Sequence, residues 1–344
     1  MAVLALTSAC SGASQTDPNN EARFRAITHA VFADGRLWLL HDNGDLASSA
    51  PSETRFHKAD AGGRVLGVCK SQDRLLVLVD QDGVWRLKQA VEKRWKNIAS
   101  APATGDPLVA MDCDPAKTEA VLITSKRIVE MTQDQVHVAD LSETIEAPYV
   151  TATALATDDV VWLGLNSGEW GGGLKRISRA DGMVDTIQSN VSGELCGGPL
   201  NTECDPVNGL VVSPTKPSCV LAAVGLVHMR AHGRLVEVCE NQVRRAYFKP
   251  LDPQPPRNEP DNGEPASTVP FFGLGRSPDG LVAVGMDGIY RFDESYAPRV
   301  LPLPDFENRG GYGVSFDVPG VALVLTQVNA RASLSGSVPL MAIR

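Results

Sequence analysis

Long apolar runs are missing from this sequence. No stretch reaches about eighteen residues, the shortest length for a helix that crosses a bilayer. Positive charge is also scarce. The chain has 32 Lys and Arg against 41 Asp and Glu, a net charge of −9, so it lacks the clustered positive field that phosphate backbones require. That excludes nucleic acid as an expected partner. Charged residues are only 21% and hydrophobic ones 43%, which excludes a disordered chain. Helical periodicity is nearly absent, so a coiled coil is excluded too. The sequence contains no G-x-S-x-G, no H-E-x-x-H, no G-x-x-x-x-G-K-[ST], and no G-x-G-x-x-G leading from a strand into a helix. No C-x-x-C pair marks a zinc site. Asp42-Asn43-Gly44-Asp45 has the look of a calcium loop but lacks the remaining ligands and the closing Glu, so it reads as a hairpin turn.

What is abundant is turn punctuation, with 31 Gly and 23 Pro. Between the turns, short β-rich runs recur, beginning at Arg36, Arg74, Thr118, Val160, Ser218, Gly280 and Gly320. A spacing near 40 residues with several short strands per unit is the signature of a β-propeller. The expected fold is therefore all-β, a seven-bladed propeller of four-stranded antiparallel blades spanning 22–344.

Each unit divides into four strands. The first is small and apolar, as in ITHAVFA and RVLGVCK; the second is the strongly apolar run. The third is amphipathic, as in VWRLK and IYRFD, and the fourth is polar, as an outer edge should be. Asn43-Gly44, Asp82-Gly83 and Asp287-Gly288 are predicted to close hairpins with type I′ turns. The seventh unit ends on a third strand, SVPLMAIR. Residues 22–26, ARFRA, read as the missing fourth strand, closing the ring from the N-terminus.

Val161-Trp162-Leu163-Gly164, followed by Gly172-Gly173-Leu174-Lys175-Arg176-Ile177, resembles the blade signature of two-component-regulator-type propellers, of the WD40/YVTN-like kind. Weaker copies are Gly83-Val84-Trp85-Arg86-Leu87 and Asp287-Gly288-Ile289-Tyr290-Arg291-Phe292. Such blades often form sensor regions ahead of a membrane helix and a kinase. Neither is present here, so the resemblance implies the fold and no kinase-linked signalling.

The N-terminus, MAVLALTSA followed by Cys10, resembles the end of a bacterial lipoprotein signal peptide, in which a small residue precedes a Cys that is lipidated. Thr7 stands where that family usually has Leu, and no basic segment precedes the apolar run. On this reading residues 1–9 are a shortened signal, 10–21 a flexible tether and Cys10 the lipidation site. Six cysteines remain, an even number that suits an oxidising compartment. Cys196 and Cys204 would staple the loop GELCGGPLNTECDP; Cys219 and Cys239 would face each other across a hairpin; Cys69 and Cys113 lie about one repeat apart. The expected location is the bacterial cell envelope, extracytoplasmic and lipid-anchored.

In a propeller, the connections from second to third strand and from one blade to the next emerge at one end of the ring. The long ones here are NSGEWGGG, GLVHMRAHG and QVNARASLSG, together with 189–208 and 250–268. All belong to blades 4–7 and share that end, and loops of this length on a rigid scaffold carry binding residues. The candidate residues are Glu169, Trp170, His228, Arg230, His232, Arg257, Arg309 and Arg331. Trp170 in its glycine setting is a stacking platform for a sugar or peptide. His228 and His232 form an H-x3-H spacing, but no helix is predicted to bring both rings to one side, so no metal is expected. The arginines could grip an anion. No cofactor is expected.

The favoured reading is a monomeric, non-catalytic binding module for a protein, peptide or glycan, touching the membrane through its lipid anchor only. The alternative is a propeller enzyme of lactonase, lyase or hydrolase type with a metal near the axis. That alternative requires several carboxylates or histidines converging at the channel mouth.

Overall fold

The apolar runs form strands whose two faces are both buried. In Arg74–Gln81, residues 75–79 are wholly buried. Alternate side chains point to opposite faces. Leu75, Val77 and Val79 pack with Val31, Trp38 and Leu40 of the preceding sheet, whereas Leu76 and Leu78 pack with Leu122, Val129 and Met131 of the next. Burial of each such side chain contributes roughly 1.5–3 kcal/mol. Sheets sandwiched face to face in this way arrange themselves as blades.

The computed structural model describes residues 27–343, except 92–93, 115–116, 147–150, 191–197, 229, 241, 255–264, 266, 278–279, 304–311, 319 and 327–339. Among the described residues, the strands form six four-stranded antiparallel sheets and one three-stranded sheet, each a meander in chain order. Their innermost strands are Ile27–Ala33, Arg64–Ser71, Leu108–Cys113, Thr151–Ala156, Val207–Val212, Phe271–Ser277 and Tyr312–Ser315. Each touches the next, and Ile27–Ala33 also meets Tyr312–Ser315 and Val321–Thr326. Close approach there demands small residues: a Cβ on Gly67 would lie 2.9 Å from the Met111 sulfur. The molecule is a β-propeller.

The expectation of seven four-stranded blades is corrected to six. The last sheet has three strands, Tyr312–Ser315, Val321–Thr326 and Leu340–Ile343. The segment 22–26, expected to pair as its fourth, lies outside the described residues, as do the signal, the tether and Cys10. Turn chemistry needs correction as well. Asp82-Gly83 has the two positive φ values of a type I′ turn, 53° and 76°. At Asn43-Gly44 only Gly44 is left-handed, because His41 N–H bonds to the Asp45 carbonyl across a three-residue loop. Neither Asp287 nor Gly288 is among the left-handed residues.

Two disulfides lie wholly within the described residues. Cys69–Cys113 ties the innermost strands of blades 2 and 3, with Cα atoms 5.6 Å apart. Cys219–Cys239 joins directly opposite residues within blade 5, at 4.4 Å. Cys204 is also disulfide-bonded; its expected partner, Cys196, lies outside the described residues.

Candidate functional site

Because second strands run antiparallel to first strands, the turns from second to third strand and the inter-blade connections gather where the innermost strands begin. Two structures occupy that end: a projecting ledge on blades 4 and 5, and a cavity on blades 1–3.

The ledge starts at the 3-10 turn Gly168–Trp170, between the second and third strands of blade 4. Asn166 fixes it. Its Oδ1 accepts the Gly168 N–H at 2.8 Å, and its Nδ2 donates to Asn208 Oδ1 at 2.6 Å. Gly171 follows at φ 73°, where a Cβ would collide with the backbone of 202–204, so only glycine lets the chains pass. Gly172 and Gly173 N–H groups then donate to the Thr202 and Asp205 carbonyls, both at 2.9 Å. Asp205, wholly buried, accepts from the Asn201 N–H at 2.6 Å and from the Arg234 guanidinium; Arg234 also donates to the Pro199 carbonyl at 2.7 Å. The connection 198–206 is thereby bolted between the two blades.

Blade 5 differs from expectation. GLVHMRAHG is not a loop: Cys219–His228 and Arg230–Cys239 pair to the tip, with His228 opposite Arg230 and Leu226 opposite His232. Opposite residues, and residues two apart, share a face. His228, Arg230 and His232 therefore line one face without any helix. His228 Nε2 lies 3.0 Å from Glu169 Oε2. His232 Nε2 lies 3.1 Å from the Cys204 carbonyl and 3.4 Å from Asp205 Oδ1. With two oxygens facing it, that nitrogen carries a proton and donates to the carbonyl. The approach to Asp205 Oδ1 is an ion-pair distance without hydrogen-bond geometry, which leaves that buried oxygen without a hydrogen bond. Trp170 is 74% exposed, whereas Trp38, Trp85 and Trp162 are buried. Glu169, Trp170, His228, Arg230 and His232 thus meet on one ledge. Arg257, Arg309 and Arg331 lie outside the described residues.

The cavity, of about 520 Å³, was not anticipated. Leu66, Leu108, Val109 and Met111 supply its apolar lining, and His29, His41, Asp42, Arg64, Asp80 and Asp106 its polar groups. Protein surrounds His29 while its ring stays open to this space, and desolvation holds its pKa below the usual imidazole range. Asp106 is paired with Arg127 at 2.5 Å. No motif signals these residues; they sit in three separate repeats, where first strands begin and second strands end. Asp205 and Arg234 were equally silent, being ordinary polar residues of a loop and a strand.

At the far end of the innermost strands, Asp112 accepts from the Ala156 and Cys113 N–H groups at 2.7 and 2.9 Å. Desolvation outweighs those bonds and pushes its pKa up to about 6. Glu237 shows the opposite balance. Burial pushes it up, but bonds from Arg244 (2.7 Å), Tyr296 (3.0 Å) and Ser213 (3.1 Å) hold it below the usual carboxylate range. Among the described residues, the one grouping of three metal-type ligands is Cys219, Glu237 and Cys239, away from the cavity, and its two cysteines form a disulfide.

No family model matches the chain, and no curated protein sequence matches it. Solved structures do. The RRP9 WD40 repeats superpose with a TM-score of 0.54 at 10% identity, covering 93% of this chain and 94% of that one. YCF48 bound to D1 peptide gives 0.53 at 12% identity, covering 88% and 90%. The extracellular domain of a putative hybrid two-component system from B. thetaiotaomicron gives 0.50 at 12%, covering 88% of this chain but 37% of that one. The likeness is one of fold. Propellers of the WD40 type are this chain's structural neighbours.

Proposed function

We propose that this chain is an extracytoplasmic, non-catalytic binding propeller that receives a protein or peptide at the end where its innermost strands begin. The cavity of about 520 Å³ at that end carries the reading: an apolar lining with a polar rim, on a disulfide-tied frame, is the form of a recognition pocket. Two fold neighbours support it, the RRP9 WD40 repeats and YCF48 bound to D1 peptide. The three-stranded sheet would be a seventh blade, with 22–26 as its fourth strand. The disulfides and the lipoprotein-like start support an envelope location, with Cys10 as the anchor.

A displayed peptide library panned on the purified chain tests the binding reading. Thr28 lines the cavity mouth and is exposed, so Thr28→Trp fills the space without disturbing the core. The expected result is enriched peptides whose affinity falls at least about tenfold in that variant (~1.4 kcal/mol). No enrichment, or binding indifferent to Thr28→Trp, overturns the reading. For the anchor, metabolic lipid labelling should vanish in Cys10→Ser; unchanged labelling removes it.

A further inference from the structure

The Trp170 ledge is a second recognition surface at the same end of the ring, and its chemistry differs from the cavity's. An exposed indole on a slack loop would fold down onto the nearest apolar surface. Trp170 has no such freedom. Its own N–H bonds to the Ser167 carbonyl (3.4 Å), the Ser167 N–H to the Gly171 carbonyl (2.8 Å), and the Gly171 N–H to the Gly168 carbonyl (3.1 Å). The turn is clamped from below by Asn166 and Asn208, and from the side by the Gly171 passage under 202–204. The fold thus holds its one exposed tryptophan, among the described residues, out in solvent on a rigid mount, which is the condition for binding without an ordering cost.

The surroundings select the ligand. The apolar area is a single ring; on the touching strand Cys219–His228, the exposed large hydrophobic residue is Val227. A protein partner is favoured by a wider apolar core. The rest of the border is polar: Glu169 and His228, each a little under half exposed, and Arg230 on the same face as His228. A pyranose presents the complement, a flat C–H face of one ring's width and a rim of hydroxyls that both donate and accept. The indole takes the C–H face; Glu169 accepts from hydroxyls through its second oxygen, and Arg230 donates to them.

We propose that the Trp170 ledge binds a hexopyranose unit of a glycan. It shares with the binding-module reading only the choice of working end. The test is a two-dimensional NMR titration of the full chain, following the backbone amide and tryptophan indole N–H signals against cellohexaose, chitohexaose and a galacto-hexaose. At least one sugar should shift the Trp170 signal saturably. Trp170→Ala should weaken that binding at least tenfold, and Glu169→Gln severalfold. Thr28→Trp should leave it unchanged, which separates this result from the fate of the cavity. No saturable shift with any of the three, or sugar binding that survives Trp170→Ala, overturns the proposal. So does a peptide selected on the chain that needs Trp170 while the sugars fail to compete with it.

Discussion

Blades 1 and 2 and blades 4 and 5 are built on the same four-stranded meander, yet one pair is hollow at its working end and the other projects. In blades 1 and 2 the connections from second to third strand are tight, at Gly44 and at Asp82-Gly83, and a cavity opens at that end. In blades 4 and 5 the same connection becomes a 3-10 turn and a hairpin paired to its tip, and the connection 198–206 is threaded between them. The innermost strands touch in sequence through both halves. Working surfaces are thus laid onto a constant ring by changing the length of one connection. The projecting half also needs its own interior, a buried Asp205–Arg234 pair, whereas the hollow half relies on partly exposed ion pairs such as Asp106–Arg127.

That difference is the first place to break the comparison. Asp205→Ala leaves Arg234, only 11% exposed, without its carboxylate. Loss of one partner of a buried pair costs roughly 3–5 kcal/mol. Asp106→Ala removes one partner of an Arg127 that is 33% exposed and still paired with Asp140, where such pairs contribute about 1 kcal/mol or less. Urea denaturation should separate the two variants clearly. Hydrogen exchange in Asp205→Ala should rise at 198–206 and 166–173 before it rises in blades 1–3. Equal losses in the two variants would mean the ledge has no separate interior.

The disulfides extend the contrast. Cys69–Cys113 closes 44 residues across two blades of the hollow half, and Cys219–Cys239 closes 20 within one blade of the projecting half. Chain entropy assigns about 4 kcal/mol to the first and about 3.3 to the second. Paired Cys→Ser variants should therefore lose stability in that order, as read by denaturation midpoints at equal slope. The reverse order would show that strand pairing in blade 5 depends on its bridge.

Asp112 offers a third, pH-dependent test at the opposite end of the ring. Its pKa is raised from 3.8 to about 6, mainly by desolvation, so the folded protein holds a proton that the unfolded chain has already released. The stability contributed by this group is therefore full below about pH 4. It declines as pH rises to about 6 and is flat beyond, a total of roughly 3 kcal/mol. Asp112→Asn should abolish that downward slope between pH 4 and 6. Glu237 has the opposite sign: its depressed pKa contributes stability that is lost as pH falls through the acid range. A difference curve between wild type and Asp112→Asn that stays flat over pH 4–6 would put Asp112 in a more solvated site.

The sequence was legible wherever a feature repeats. The apolar runs at Arg74 or Val160 are each buried on both sides, so their spacing reported the blades directly. Cys219 and Cys239 could be paired because hairpin register is local. What stayed hidden depends on convergence. Thr28, Arg64 and Met111 line one cavity from three repeats, and no spacing between them carries that information. Register hid the ledge in part. Without it, GLVHMRAHG reads as a loop and His228 and His232 appear to need a helix; with it, alternate residues share a face. The count of four-stranded blades differs from expectation by one, because the last sheet has three strands among the described residues, while its third strand, Leu340–Ile343, pairs as its composition suggested.

The smallest expected effect sharpens the comparison most. Trp38, in the hollow half, is 7% exposed, donates its indole N–H to the Ala33 carbonyl at 3.1 Å, and meets Trp95 edge-on with ring centres 5.9 Å apart. Trp38→Ala removes a packed ring and should cost roughly 3–5 kcal/mol. Trp170, 74% exposed on a turn held by its own backbone bonds, gives its ring almost nothing to pack against. Trp170→Ala should change stability by about 0.5 kcal/mol or less in either direction, the range of surface substitutions away from special features. Matched denaturation curves decide it. A loss near that of Trp38→Ala would make the indole a structural plug. A null effect leaves a large apolar ring, carried by a dedicated turn, that does nothing for the fold that carries it.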